Sequence, residues 1–129
     1  MGNVQKAKSA AASGVPLECF SPTVRPTTFK SQCAVAVQDG RRVQSFDVDG
    51  AYLQGEFPEG RSVYIRPPPG LPVQSTINGV RAVWRLKVPL YGQADAGRLW
   101  FKTACHQLVK VQHFRVSDYD PCLFLQNLR

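Results

Sequence analysis

Asp47 and Asp49 stand two residues apart in the run Phe46-Asp-Val-Asp-Gly50. Two acids at that spacing on a strand face the same way, and such a pair of oxygen donors can hold a divalent cation. Asp47 also falls where a strand is expected to end. There the backbone is fixed while the side chain meets solvent, the usual setting for catalytic groups on sheets. The other reading is that Asp47 caps the turn after it and Asp49 is simply solvated. Cys105, His106, His113 and Cys122 are also of metal-ligating types, but their spacing matches no zinc pattern. The four cysteines, at 19, 33, 105 and 122, include no Cys-x-x-Cys pair, so free buried thiols are expected.

Charge offers a second pointer. The 129 residues carry 16 Lys+Arg against 9 Asp+Glu, a net charge of +7, and the excess is one-sided. Residues 1–60 hold 6 basic and 6 acidic side chains, residues 61–129 hold 10 and 3. That asymmetry suits an anionic partner, nucleic acid above all, or else ordinary solubility charge. The longest strictly apolar run, Cys33-Ala-Val-Ala-Val37, is far short of the ~20 residues of a membrane span. The N-terminus has no apolar signal core, so an intracellular protein with no membrane partner is expected.

Elements that would position these residues follow from periodicity and punctuation. Residues 1–17 show no amphipathic period, hold Gly14 and Pro16, and are expected to be loose or frayed. A helix is expected from Pro26, with Phe29, Cys33 and Val37 on one face and Asp39-Gly40 as its stop. Arg42–Val48 alternates and reads as a strand, and Gly50–Gly55 as a turn or short helical segment. Val63–Ile65 is a short strand ahead of the stiff Pro67-Pro-Pro-Gly70 stretch. A polar loop with Gly79 leads on to Arg81–Lys87, which alternates as another strand. The strongest helix opens at Gly92 or Asp95 and runs to about Phe114, with Trp100, Ala104, Leu108 and Val111 on one face. Cys122–Leu125 reads as a last strand.

Several of these segments resemble, in order, the motifs of copia-type retrotransposon reverse transcriptases. Phe46-Asp-Val-Asp-Gly-Ala-Tyr-Leu-Gln-Gly55 is similar to the family's first catalytic motif. Upstream, Glu18-Cys-Phe-Ser-Pro-Thr-Val-Arg25 is similar to Glu-Thr-Phe-Ser-Pro-Val-Val-Arg. Downstream, Val63-Tyr-Ile-Arg-Pro-Pro-Pro-Gly-Leu71 and Trp84-Arg-Leu-Lys-Val-Pro-Leu-Tyr-Gly92 match two further motifs. Arg98-Leu-Trp100 and Ser117-Asp-Tyr-Asp-Pro-Cys-Leu-Phe124 complete a colinear series from about residue 18 to 125. The implied fold class is α/β (α+β mixed), a partial right-hand polymerase fold comprising palm with part of the fingers across residues 18–129.

The resemblance also implies roles. The family joins a primer 3′-hydroxyl to a nucleotide α-phosphate using two Mg²⁺ or Mn²⁺ ions held by carboxylates. Asp47 maps on the first metal-binding and catalytic Asp, and the Val48 carbonyl on the neighbouring ligand. Ala51 and Tyr52 map on the nucleotide site, Tyr52 on the aromatic that excludes a 2′-hydroxyl. Gly92 maps on a loop beside nucleotide and template, where glycine permits close approach. Arg85, Lys87 and Arg98 are the expected nucleic-acid-binding cations. Asp49 aligns with a variable position and is set aside as a ligand. Partners would be an RNA or DNA primer–template, deoxynucleotides and the rest of a Pol polyprotein, in the cytoplasm within a virus-like particle or in the nucleus.

Three departures from the family pattern qualify this. Where relatives carry Lys and Gln after the Gly92 motif, this chain has Ala94 and Asp95, and an acid beside a triphosphate is unfavourable unless it points away. Lys6 and Lys8 are all that corresponds to a basic fingers strand. The second catalytic motif, Tyr-Val-Asp-Asp, does not occur in the sequence, nor do thumb, connection or RNase H regions. Asp118-Tyr-Asp120 aligns with a turn and is expected at the surface. A fragment of a reverse transcriptase, inactive by itself, is therefore expected. The alternative is a non-enzymatic, basic nucleic-acid-binding remnant, with Trp84, Tyr91, Trp100 and Phe101 as stacking groups.

Overall fold

The computed structural model describes residues 18–68, 70 and 76–126. The expectations for residues 1–17, including Lys6 and Lys8, and for the loop at 71–75 lie outside the described residues. What is described is a mixed α and β chain with three two-stranded antiparallel sheets.

Helix α1, Pro26–Gln38, starts where expected. Proline fits its first turn because the missing N–H would have no partner inside the helix. It ends in a Schellman arrangement. Gly40 is left-handed (φ 63°), its N–H donates to the Val37 carbonyl at 3.1 Å, and the Arg41 N–H donates to Ala36 at 2.8 Å. None of its residues is buried, however, and Phe29 and Val37 on the expected apolar face are exposed. The segment 42–48 does not form the expected strand. Alternation makes a segment able to join a sheet, but a strand needs a neighbour, and no described segment pairs with it.

A single 3₁₀ turn, Ala51–Gln54, follows, entered through a left-handed Gly50. Strand β1, Tyr64–Ile65, pairs with β4, Trp84–Arg85, in the register Tyr64↔Arg85 and Ile65↔Trp84. Between them lies a hairpin of β2, Thr76–Ile77, and β3, Val80–Arg81. The expected strand 81–87 is thus divided, its first residue pairing with β2 and its middle with β1. Its alternation is nonetheless real: Trp84 and Leu86 are half-buried, while Arg85 and Lys87 face solvent.

Helix α2, Ala96–His106, passes into a π segment, Gln107–Val111, and the left-handed His113 (φ 59°) then redirects the chain. Strand β5, Arg115–Val116, pairs with β6, Phe124–Leu125. Trp100, Ala104 and Leu108 are half-buried as expected, while Val111 is exposed. Buried apolar side chains among the described residues are Ala96 (0% exposed) and Leu99 (4%), both in the first turns of α2, and Pro89.

Gly55 explains how the 3₁₀ turn reaches that helix. A Cβ there would lie 3.2 Å from the Trp100 amide nitrogen, 3.3 Å from Pro89 Cγ and 3.3 Å from the Tyr52 carbonyl. All three neighbours are backbone or ring atoms with little freedom to yield. Gly97 differs, because its added Cβ would make only ordinary contact, 3.6 Å from Ser21 Cβ. Gly55→Ala should therefore destabilise the chain by about 1–3 kcal/mol. Gly97→Ala should be neutral or stabilise it by up to about 1 kcal/mol, since alanine suits a helix better. Urea unfolding of the two variants beside the parent chain measures both.

Candidate nucleotide and nucleic-acid site

The 3₁₀ turn carries Ala51 and Tyr52, both half-buried, immediately after the half-buried Val48 and the exposed Asp47. The Tyr52 ring lies 5.1 Å from that of Tyr91, tilted by 38°. This contact joins the Asp47 segment to the Gly92 loop, two stretches some 40 positions apart in the chain. Gly92 is left-handed (φ 84°) and solvent-exposed, and a Cβ there would meet nothing within 4 Å. Glycine is thus required by backbone conformation rather than by crowding inside the chain.

Behind that loop, Asp95 is 2% exposed and forms an ion pair with Arg61. Gln93 Nε2 donates to its other carboxylate oxygen at 2.8 Å. The acid that departs from the family pattern is therefore turned inward. Burial alone would push the Asp95 carboxyl up, but the hydrogen bonds from Arg61 and Gln93 and the guanidinium charge outweigh it. The group is held below its usual value of 3.8. Arg61 lies over the Phe57 ring, 5.4 Å from its centroid.

Arg85 and Lys87 project from the same face of the β4 run, spaced two apart. They line an open groove of about 660 Å³ together with the 55–61 segment, whose Glu56 and Glu59 bring opposite charge. Arg98 is placed differently. Its guanidinium forms an ion pair with Glu18 and donates to the Phe20 carbonyl at 3.1 Å. Ser21 Oγ donates to the Gly97 carbonyl at 3.2 Å nearby, so Arg98 helps fasten the 18–21 segment to α2.

Asp120 corrects the expectation of a surface turn. Asp118 and Tyr119 are exposed, but Asp120 is 0% exposed. Its carboxylate accepts the Arg25 N–H and the Cys122 N–H, each at 2.9 Å. Arg25 is the residue that caps α1, so the acid sits at the positive end of that helix. These two backbone hydrogen bonds, with one from the Thr28 side chain, hold the Asp120 carboxyl below 3.8. The sequence signal for this role is the pairing of two family-like motifs, Ser-Pro-x-x-Arg and Asp-Pro-Cys, whose contact no spacing rule could give.

Among the described residues no three His, Cys, Asp or Glu side chains converge as a metal site. Asp47 belongs to no such cluster, so the donor set does not fit a two-metal centre. Burial pushes the Cys105 and Cys122 thiols up, which keeps them protonated and poor as ligands.

The family profile of reverse transcriptase (RNA-dependent DNA polymerase) matches residues 3–128, and the chain belongs to that family. It is 33% identical over 108 residues to the retrovirus-related Pol polyprotein from transposon RE1 of Arabidopsis thaliana. It is 28% identical over 109 residues to that from transposon TNT 1-94 of Nicotiana tabacum, and 32% identical over 108 residues to that from RE2 of Arabidopsis thaliana. Each alignment covers 84% of this chain but only 7–8% of the relative. The retrotransposon reverse transcriptase resemblance read from the motifs is thereby borne out. No solved structure matches significantly.

The two buried acids set the response to pH. Each binds a proton less readily folded than unfolded, so their stabilisation is complete above 3.8 and is lost as pH falls through the lower folded values. The urea midpoint should drop steeply between about pH 5 and pH 2, and Asp120→Asn should flatten that slope. Asp95→Asn should cost about 1–3 kcal/mol at neutral pH, by weakening charge-assisted hydrogen bonds to Arg61.

Proposed function

We propose that this chain forms the nucleotide-facing and template-facing part of a retrotransposon reverse transcriptase, built as palm with part of the fingers. The observation that carries the reading is the Tyr52–Tyr91 contact. It brings the Asp47 motif and the Gly92 loop, each family-like by sequence, into one surface. In this reading Asp47 and the Val48 carbonyl face the metal and triphosphate, and Ala51 and Tyr52 lie along the sugar. Gly92 lets backbone approach the base pair. Asp95, which would repel a triphosphate, is neutralised from behind by Arg61.

Nucleotidyl transfer needs carboxylates that the described residues do not supply, so the chain by itself binds rather than polymerises. In a Pol polyprotein, other polypeptide would contribute them. Primer extension with Mg²⁺ or Mn²⁺ should give no product. Template-dependent product abolished by Asp47→Asn would overturn this and show that one carboxylate suffices.

A second reading, a non-enzymatic nucleic-acid-binding chain, is favoured by Arg85 and Lys87. Both are exposed on one face with no ion-pair partner among the described residues. Binding of a primer–template should weaken with salt. Arg85→Glu with Lys87→Glu should lower the magnitude of the log–log salt slope by about 1.5–2, one phosphate contact per cation. A slope unchanged by the pair would remove both residues from the interface.

A further inference from the structure

The β1–β4 ladder has one half-buried face and one face open to water, and the open face carries an unusual set of residues. Continuing the register Tyr64↔Arg85 and Ile65↔Trp84 by one step each way sets Arg66 opposite Val83 and Ser62 near Lys87. Directly opposed residues share a face, as do residues two apart on one strand. Val63, Ile65, Trp84 and Leu86 are half-buried, so Tyr64, Arg66, Arg85 and Lys87 stand together on the other side, all exposed. The Leu86 N–H donates to the Val63 carbonyl at 2.8 Å, which makes these two a hydrogen-bonded pair. Tyr64 and Arg85 beside them are then a non-hydrogen-bonded pair, where facing side chains approach most closely.

The chemistry of this face points to one kind of partner. No Asp or Glu lies within 62–66 or 83–88. Arg66, Arg85 and Lys87 have no ion-pair partner among the described residues, whereas Arg41, Arg61, Arg98 and Arg115 each have one. Unpaired cations in a row complement a polyanion. Tyr64 adds a second demand, because its ring is 58% exposed with Arg66 on its own strand and Arg85 across from it. An open aromatic ring amid cations suits a phosphate chain that also offers flat bases. In a duplex those base faces are hidden by stacking, so a single strand alone can use the ring and the cations together. Glu56 and Glu59 share the groove beside Arg85 and Lys87 but belong to the 55–61 segment. Their charge repels phosphate and confines a strand to the ladder.

We infer that the exposed face of the β1–β4 ladder binds single-stranded nucleic acid, with a base stacked on Tyr64 and phosphates held by Arg66, Arg85 and Lys87. The inference rests on the reading of Arg85 and Lys87 as nucleic-acid contacts. It adds Tyr64 and Arg66 to them, and a preference for strand over duplex. Stacking and phosphate contacts carry no base code, so binding is indifferent to sequence.

Fluorescence anisotropy of the full chain with labelled oligo(dT), free or annealed to oligo(dA) as a blunt duplex, tests this. The free strand should bind about tenfold tighter than the duplex. Tyr64→Ala should weaken strand binding about fivefold or more without altering its salt slope, and Tyr64→Phe should keep it. Arg66→Gln should lower the magnitude of the log–log salt slope by about 0.7, one phosphate contact on a single strand. Oligo(rU) should bind like oligo(dT), since neither stacking nor phosphate contact involves the sugar. Both substituted side chains are exposed, so the urea midpoints should match the parent and separate lost binding from lost fold. The inference is overturned if the duplex binds as tightly as the strand, or if binding depends strongly on the sugar. It is overturned too if salt-dependent binding persists unchanged in Tyr64→Ala and Arg66→Gln, an outcome that leaves Arg85 and Lys87 in their role. No binding of either nucleic acid would remove both readings.

Discussion

In the first turns of α2 the backbone of one segment comes so close to that of another that even a methyl group between them would be crowded. Gly55 approaches the Trp100 amide, and around this contact gather Pro89, the Tyr52 carbonyl and the buried Ala96 and Leu99. Other parts of the chain reach the same two helical turns by polar links. Ser21 and Glu18 bind at Gly97 and Arg98, and Arg61 binds at Asp95. The 3₁₀ turn with Tyr52 and the Gly92 loop flank this hub, which is how Tyr52 and Tyr91 come to touch. A shift in the first turns of α2 would displace every one of these groups together.

Polar clasps thus do much of what a larger apolar core would do elsewhere. Asp95 and Asp120 are each buried and each bind groups far along the sequence, but the chemistry differs. Asp95 faces a full positive charge on a side chain, whereas Asp120 faces mainly backbone N–H groups and a helix dipole. Both demand good geometry, because a buried carboxylate without partners is strongly unfavourable. Such links fix register more sharply than they add stability. That suits a chain whose helix α1 buries none of its residues.

Much of the local structure is legible in the residues. Pro26 and Asp39-Gly40 mark the ends of α1 correctly, because helix termini obey local rules of donors and left-handed backbone. The alternation of 82–87 survives as alternating burial even though its hydrogen bonding is divided between two partners. The hairpin at Asn78-Gly79 also carries a local signal beneath its loop-like polarity, since both residues are left-handed as a tight I′-like turn requires. What cannot be read is anything that depends on a distant partner. Alternation gives Arg42–Val48 the capacity for a strand but no neighbour. Asp120 looks like turn chemistry because nothing near it in sequence reveals Arg25. Asp95 looks like an obstacle to phosphate until Arg61 is seen beside it. The family is legible from ordered motifs, while the Tyr52–Tyr91 contact that assembles the candidate site is not.

The link between Arg25 and Asp120 spans 95 positions. On a ribosome, helix α1 therefore emerges long before the carboxylate that completes its N-terminus has been made. Until then α1 has only its own intrahelical hydrogen bonds, with no buried residue to add to them, too little to hold a helix of this length in water. Its final ordering must wait for nearly all of the described chain, and the closure of so long a loop carries an entropic penalty before any contact rewards it. The described residues should consequently acquire their tertiary structure only after Asp120 has been made. During that interval its central apolar segments are open to chaperones and to one another.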